Sequence, residues 1–233
     1  MKHSEVQNSA EDFVSRLAEA KLPNVFNPYS DVCAIHDEPN AACKRRTNLS
    51  SALSSALNLN VRTIWIARDL GYRGGRRTGL ALTDEAHLLE HGRLLGGVDF
   101  MRATRGPEIK ERTASVIWHM IMRIDEPLFL WNAFPLHPHL ADNPMTNRCH
   151  TSGERNAMSW VLHELLDILK PDQVFTIGGD ARRCVMNLGV ESVAFRHPSY
   201  GGKTQFIQEV EKAYGLKGNA AKTADESRQL TLI

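Results

Sequence analysis

The chain lacks any run of apolar residues approaching the length that spans a bilayer, so an integral helical membrane protein is not expected. Its first residues, Met1 to Ala10, are polar and carry no apolar h-region, so export is not expected either. Cysteine is scarce: Cys33, Cys43, Cys149 and Cys184 are the only 4, and no two form a CxxC pair. That excludes a zinc ribbon and suits a reducing cytoplasm. No charge dominates. Lys and Arg total 28 against 27 for Asp and Glu, a net charge of +1, so a nucleic-acid face must be a local patch. Neither GxxxxGK[ST] nor GxGxxG occurs, which removes the two commonest phosphate-cradling loops. Internal repeats and long low-complexity linkers are missing too. What is present, 233 residues with 42% hydrophobic and 24% charged content, reads as one globular domain over residues 1–233.

Apolar periodicity places the elements. Helical spacing runs over Ala10–Lys21, Asn40–Leu57, a short helix from Thr83-Asp84-Glu85, Glu108–Ile124 behind Pro107, Gly153–Leu169, Ala181–Leu188 and Gln205–Tyr214. Short apolar, partly β-branched runs at Val61–Ala67, Leu128–Trp131, Val174–Ile177 and Val193–Phe195 read as buried strands. Residues 71–79 and 134–152 are expected as loops, residues 1–24 as a helical N-terminal extension, and residues 217–233 as a poorly ordered tail. Strands alternating with helices predict an α/β fold: a three-layer αβα sandwich around a central four-stranded, mainly parallel sheet.

Three strand ends each present a polar side chain, and open α/β sheets place chemistry at that edge. The segments are Ala67-Arg68-Asp69-Leu70-Gly71-Tyr72, Leu130-Trp131-Asn132-Ala133-Phe134-Pro135 and Phe195-Arg196-His197-Pro198-Ser199-Tyr200-Gly201-Gly202. Arg68, Arg73, Arg76 and Arg77 crowd one glycine-rich loop and suit phosphate contacts or a polar group on a ligand, with Lys44-Arg45-Arg46 extending the positive strip. His137, His139, His150 and Cys149 invite a zinc site, but their spacing matches no common ligand pattern. No metal and no cofactor are expected.

Taken together and in this order, these segments resemble the uracil-DNA glycosylase superfamily over roughly residues 25–215. Asn27-Pro28-Tyr29, Gly71 to Thr83-Asp84-Glu85, Trp131 to Pro138, Ile177-Gly178 and Arg196 to Gly202 carry the likeness. It points to the branch without an iron–sulfur cluster. The resemblance implies a monofunctional glycosylase that flips a nucleotide out of the stack and hydrolyses its N-glycosidic bond. It implies that Asp69 orients water and stabilises the cation-like sugar. Related branches carry an acid one place earlier, where this chain has Arg68. Asn132 would read a pyrimidine edge, although a strand-end Asn also commonly bonds its own backbone. His197 would donate to the base oxygen as negative charge grows there. Ser199, Tyr200, Gly201 and Gly202 would grip phosphate or press into the minor groove, and Tyr200 would fill the vacated stack.

Two positions depart from uracil specialists. Gly71 stands where a tyrosine blocks a C5 substituent, and Leu82 where a phenylalanine stacks on the base. With Tyr72, these line the expected base pocket. They favour a C5-modified base, such as glucosylated hydroxymethylcytosine in phage DNA, and an antiviral role. Uracil removal in base-excision repair and a catalytically silent nucleic-acid-binding module are the alternatives. The expected partner is DNA, with no membrane, acting as a cytoplasmic monomer.

Overall fold

A computed structural model describes residues 3–217. The expected C-terminal tail therefore falls outside the described residues apart from Lys217. Along the chain run α1 (His3–Ala18), β1 (Val25–Phe26), α2 (Ala41–Asn58), β2 (Thr63–Asp69), α3 (Gly75–Thr78) and, after a 3-10 turn at Glu85–His87, α4 (Leu88–Leu94). Then come α5 (Arg112–Ile121), β3 (Phe129–Phe134), β4 (His137–Pro138), α6 (Ser152–Ala157), α7 (Ser159–Leu169), β5 (Gln173–Ile177), α8 (Gly179–Asn187), β6 (Val193–Phe195) and α9 (Lys203–Tyr214).

The main sheet is four-stranded, all parallel, in the order β3-β2-β5-β6. A two-stranded ribbon pairs β1 with β4. Successive strand residues point to opposite faces, and each face carries its own core. Ile64, Ile66, Phe129, Trp131 and Val174 pack with α1, α2, α7 and α8. Trp65, Leu128, Leu130, Phe175 and Phe195 pack with α5 and α9. This is the three-layer sandwich. No helix among the described residues is long and apolar enough to cross a membrane.

Several boundaries differ from expectation, each for a local reason. The N-terminal helix is part of the core, because Phe13, Val14 and Leu17 are buried in it. Pro107 does not start α5. The backbone N–H groups of Ile109 and Glu111 donate to the carboxylates of Glu85 and Asp84, which keeps the chain out of the helix until Arg112. The expected helix over Gly153–Leu169 is two helices broken at Met158. Residues 71–79, expected as loop throughout, close into the single turn α3. Gly79 ends that turn at φ 74°, and a Cβ there would lie 2.7 Å from the Arg45 Cβ, so only glycine lets the turn lie on α2.

The segment Asn27-Pro28-Tyr29 braces the same turn. Asn27 Nδ2 donates to the Leu17 and Ala20 carbonyls at the end of α1, and Tyr29 Oη donates to the Gly79 carbonyl at 2.9 Å. One local motif thereby fixes the position of the loop that follows β2.

Candidate active site

Because the strands run parallel, β2, β5 and β6 end at one edge of the sheet, and the segments leaving them meet there. They enclose a cleft of about 570 Å³ lined by Asp69, Gly71, Leu82, His197, Ser199 and Tyr200, together with Arg68. That size falls in the ~300–1,000 Å³ range of small-ligand sites.

Asp69 closes β2 with a carboxylate that is only 5% exposed. Both of its oxygens are paired. Arg68 Nε donates to Oδ2 at 2.5 Å, and Arg68 Nη1 reaches Asp180 at 3.3 Å. His150 Nδ1 donates to Oδ1. Burial opposes the charge on His150, but hydrogen bonds to Asp69 and Cys184 and the attraction of Asp69 outweigh it and push its pKa up to about 9. The imidazole is therefore a cation at neutral pH. Arg68, expected on phosphate, is instead occupied with two carboxylates, and the acid at 69 is held in place by it.

The sequence offered His150 only as one of a zinc-like group and not as a partner of Asp69. It lies 81 residues from Asp69 in sequence. The legible signal was next to it: Thr151 and Glu154 form a capping box that starts α6. Arg148 also pairs with Glu154 at 2.6 Å, so the loop carrying His150 is pinned just where it meets the cleft.

His197 follows β6. Burial first, then the nearby Arg68 and Arg196 charges, hold it below the ordinary histidine range, so it is neutral. The Ser199 backbone N–H donates to its Nδ1 at 3.2 Å. A neutral ring that accepts at Nδ1 carries its proton on Nε2, which leaves Nε2–H as a donor. The turn beyond it is tight: a Cβ at Gly202 would lie 2.1 Å from the His197 carbonyl oxygen. Tyr200, at φ 51°, is 99% exposed at the rim. Leu82 also sits at positive φ, 56°, with its carbonyl accepting from Trp118 Nε1 at 3.1 Å. Such backbone strain costs about 1–3 kcal/mol and concentrates at functional positions.

Other residues lie elsewhere than expected. Asn132 is 1% exposed and beneath the cleft wall; its Nδ2 donates to the Asp69 carbonyl at 3.0 Å, while its Oδ1 is buried without a partner among the described residues. Here it supports the Asp69 backbone. Arg76 and Arg77 are buried and unavailable to phosphate. Arg76 lies 4.0 Å over the Phe26 ring, and Arg77 pairs with Glu85 at 3.2 Å. Arg45 is interior as well, paired with Asp37. Arg73 is exposed, 5.4 Å over the Tyr72 ring, and the Tyr72 backbone N–H donates to Asn147, a cleft residue. The space beside Gly71 is not empty. A Cβ there would lie 3.2 Å from Glu111 Oε1, so a carboxyl group lines the wall that glycine opens.

One consequence concerns pH. His150 binds its proton more tightly folded than unfolded, so its stabilisation is full below about pH 6.5 and is lost as pH rises through about 9. Allowing for solvent screening, the loss is about 2 kcal/mol. Denaturant melts between pH 6 and 9.5 are expected to show this decline, and His150→Gln to flatten it. An equal decline in the variant would rule the pair out as its source.

The class this architecture defines is the three-layer αβα sandwich with a cleft at the carboxyl edge of a parallel sheet. Among solved structures, the chain is similar to the crystal structure of wild-type Pedobacter heparinus SMUG2, at 15% sequence identity and TM-score 0.62, over 90% of this chain and 97% of that one. The two share a fold. No protein-family model matches the chain, and no curated protein does.

Proposed function

We propose that the protein is a monofunctional DNA glycosylase of the uracil-DNA glycosylase superfamily, acting on a flipped-out pyrimidine. The observation that carries this reading is the meeting of Asp69 and a neutral, Nε2-protonated His197 across one nucleoside-sized cleft, with a fully exposed tyrosine at its rim. The likeness to SMUG2, a uracil-DNA glycosylase family member, supports it.

Breaking an N-glycosidic bond leaves positive charge on the sugar and negative charge on the base. Asp69 would stabilise the sugar cation and orient the water that adds to C1′. His197 would donate from Nε2 to the base oxygen as it becomes anionic. Arg68 and His150 hold the carboxylate in one orientation, which spares its reorganisation when charge develops. We further propose that the preferred base carries a C5 modification, such as glucosylated hydroxymethylcytosine in phage DNA, so that base removal serves antiviral defence in the cytoplasm.

The test is abasic-site counting after incubation with uracil-containing, hydroxymethylated and glucosylated DNA. Release from the modified DNAs supports the full reading, and release from uracil alone favours repair. The pairing of both Asp69 oxygens favours a second reading, a binding module without catalysis. Tight DNA binding with no release from any substrate would select it.

Tyr200 yields a separate expectation. Stacking of a base on an aromatic ring is worth about 1–3 kcal/mol. Tyr200→Ala should therefore slow release from duplex DNA about tenfold, with little effect on single strands, where no stack needs filling. Equal loss on both would show that Tyr200 does not act as the wedge.

A further inference from the structure

The cleft has two chemically different walls. One carries the Asp69, Arg68 and Asp180 charge network with His197. The other is built from Glu111, Thr113, Gly71, Gly75 and Leu82. Glu111 caps the start of α5, and its backbone N–H is held by Asp84 Oδ2 at 2.5 Å. Its side-chain oxygens accept no hydrogen bond among the described residues, although they line the cleft. Gly71 and Gly74 pass directly beside them, with added Cβ atoms lying 3.2 Å and 2.4 Å from the carboxyl oxygens. Bare backbone there leaves the carboxyl uncovered. Thr113 Oγ1 and Ser199 Oγ lie 3.2 Å apart on the same side, adding hydroxyls to this wall.

A partly buried carboxyl group without a cation close enough to bond it is harder to charge than one in water. Burial first, then the Asp84 charge, push the Glu111 pKa above the ordinary carboxylate range, with Arg73 opposing. A carboxyl group accepts from a hydroxyl in either protonation state and repels no neutral ligand.

We infer that Glu111, with Thr113, forms a subsite for a neutral, hydroxyl-bearing substituent carried by the base in the cleft. The inference rests on the glycosylase reading for the placement of the base, and it narrows the substrate class to pyrimidines whose 5-substituent offers a hydroxyl. A methyl group of similar reach would leave the Glu111 oxygens unpaired, and a hydroxymethyl group would satisfy them.

The experiment compares duplexes carrying one 5-methylcytosine or one 5-hydroxymethylcytosine. Affinity is measured in an Asp69→Asn background to suppress turnover, and base release is measured with intact Asp69. The hydroxymethyl duplex is expected to bind about tenfold more tightly, the scale of one net buried hydrogen bond. E111Q should keep most of that preference, because a carboxamide also donates and accepts. E111L should bring the ratio to about one. If E111L fails to fold, Thr113→Val should reduce the ratio in the same direction. Equal affinity for the two duplexes, or a preference that E111L and Thr113→Val leave unchanged, would overturn the subsite. A preference that follows Glu111 without any base release would retain the subsite and overturn the glycosylase reading. Release without preference would do the reverse.

Discussion

Asp69→Asn is expected to lower base release by about 10²–10⁴-fold, the range usual for loss of a positioned acid or base. The size follows from charge. Asparagine keeps the shape of the side chain and can still accept from Arg68, so the cleft should survive. It removes the anion proposed to stand against the sugar cation. His150 would lose its partner's charge as well, and its pKa should fall back toward the ordinary histidine value. Single-turnover abasic-site formation reads the first effect, and titration of the imidazole by NMR reads the second. A melting curve close to wild type would exclude unfolding as the cause. Unchanged release would remove Asp69 from the chemistry and with it the proposed mechanism. Loss of release with an unmoved His150 titration would leave the mechanism standing and break the claimed coupling of the pair.

The sheet was legible because its strands are short apolar runs punctuated by polar strand ends, and burial on both faces lets such runs be read without alternation. The meeting of Asp69 and His197 followed from parallel topology alone: strands that run the same way end at the same edge. Side-chain partners were not legible where they come from distant segments. Arg45, Arg76 and Arg77 look like surface cations by residue type, yet Asp37, Glu85 and the Phe26 ring draw them inside. Asn132, expected at a strand end, lies inside β3, which runs on to Phe134, and the direction of its amide, toward the Asp69 carbonyl, depends on the register of β3 against β2. The start of α5 was not legible for a similar reason: a helical turn does begin at Glu85 behind Asp84, as the sequence suggests, but the carboxylates of these two acids also hold the backbone ahead of α5, so Pro107 does not start it.

Those interior arginines lead to the largest stability effect expected. Arg45 is fully buried, and its guanidinium gathers four groups. Nη2 donates to Asp37 Oδ1 at 2.5 Å, Nε to the Arg77 carbonyl at 3.0 Å, and Nη1 to the Asp31 and Pro28 carbonyls at 3.3 and 3.5 Å. Replacing it by Met keeps much of the apolar stem but strands Asp37 as a buried, uncompensated charge and leaves three carbonyls short of a donor. Breaking a buried pair in this way costs about 3–5 kcal/mol. For a chain of this length that corresponds to roughly 10 °C in melting temperature. Lysine should not rescue it, because a single ammonium cannot reproduce the planar fork that serves Asp37 and the Arg77 carbonyl together. Replacing Asp37 by Leu in the same chain should recover part of the loss, since the stranded charge disappears while the carbonyls remain unserved. A double variant no more stable than Arg45→Met alone would mean that the cost comes from the carbonyls and not from the ion pair. Because the Arg77 and Gly79 turn rests on Arg45 and the chain leads from there to Leu82, the variant should also lose base release beyond what its folded fraction explains. The cleft wall opposite Asp69 is thus held from beneath by an arginine that never reaches it.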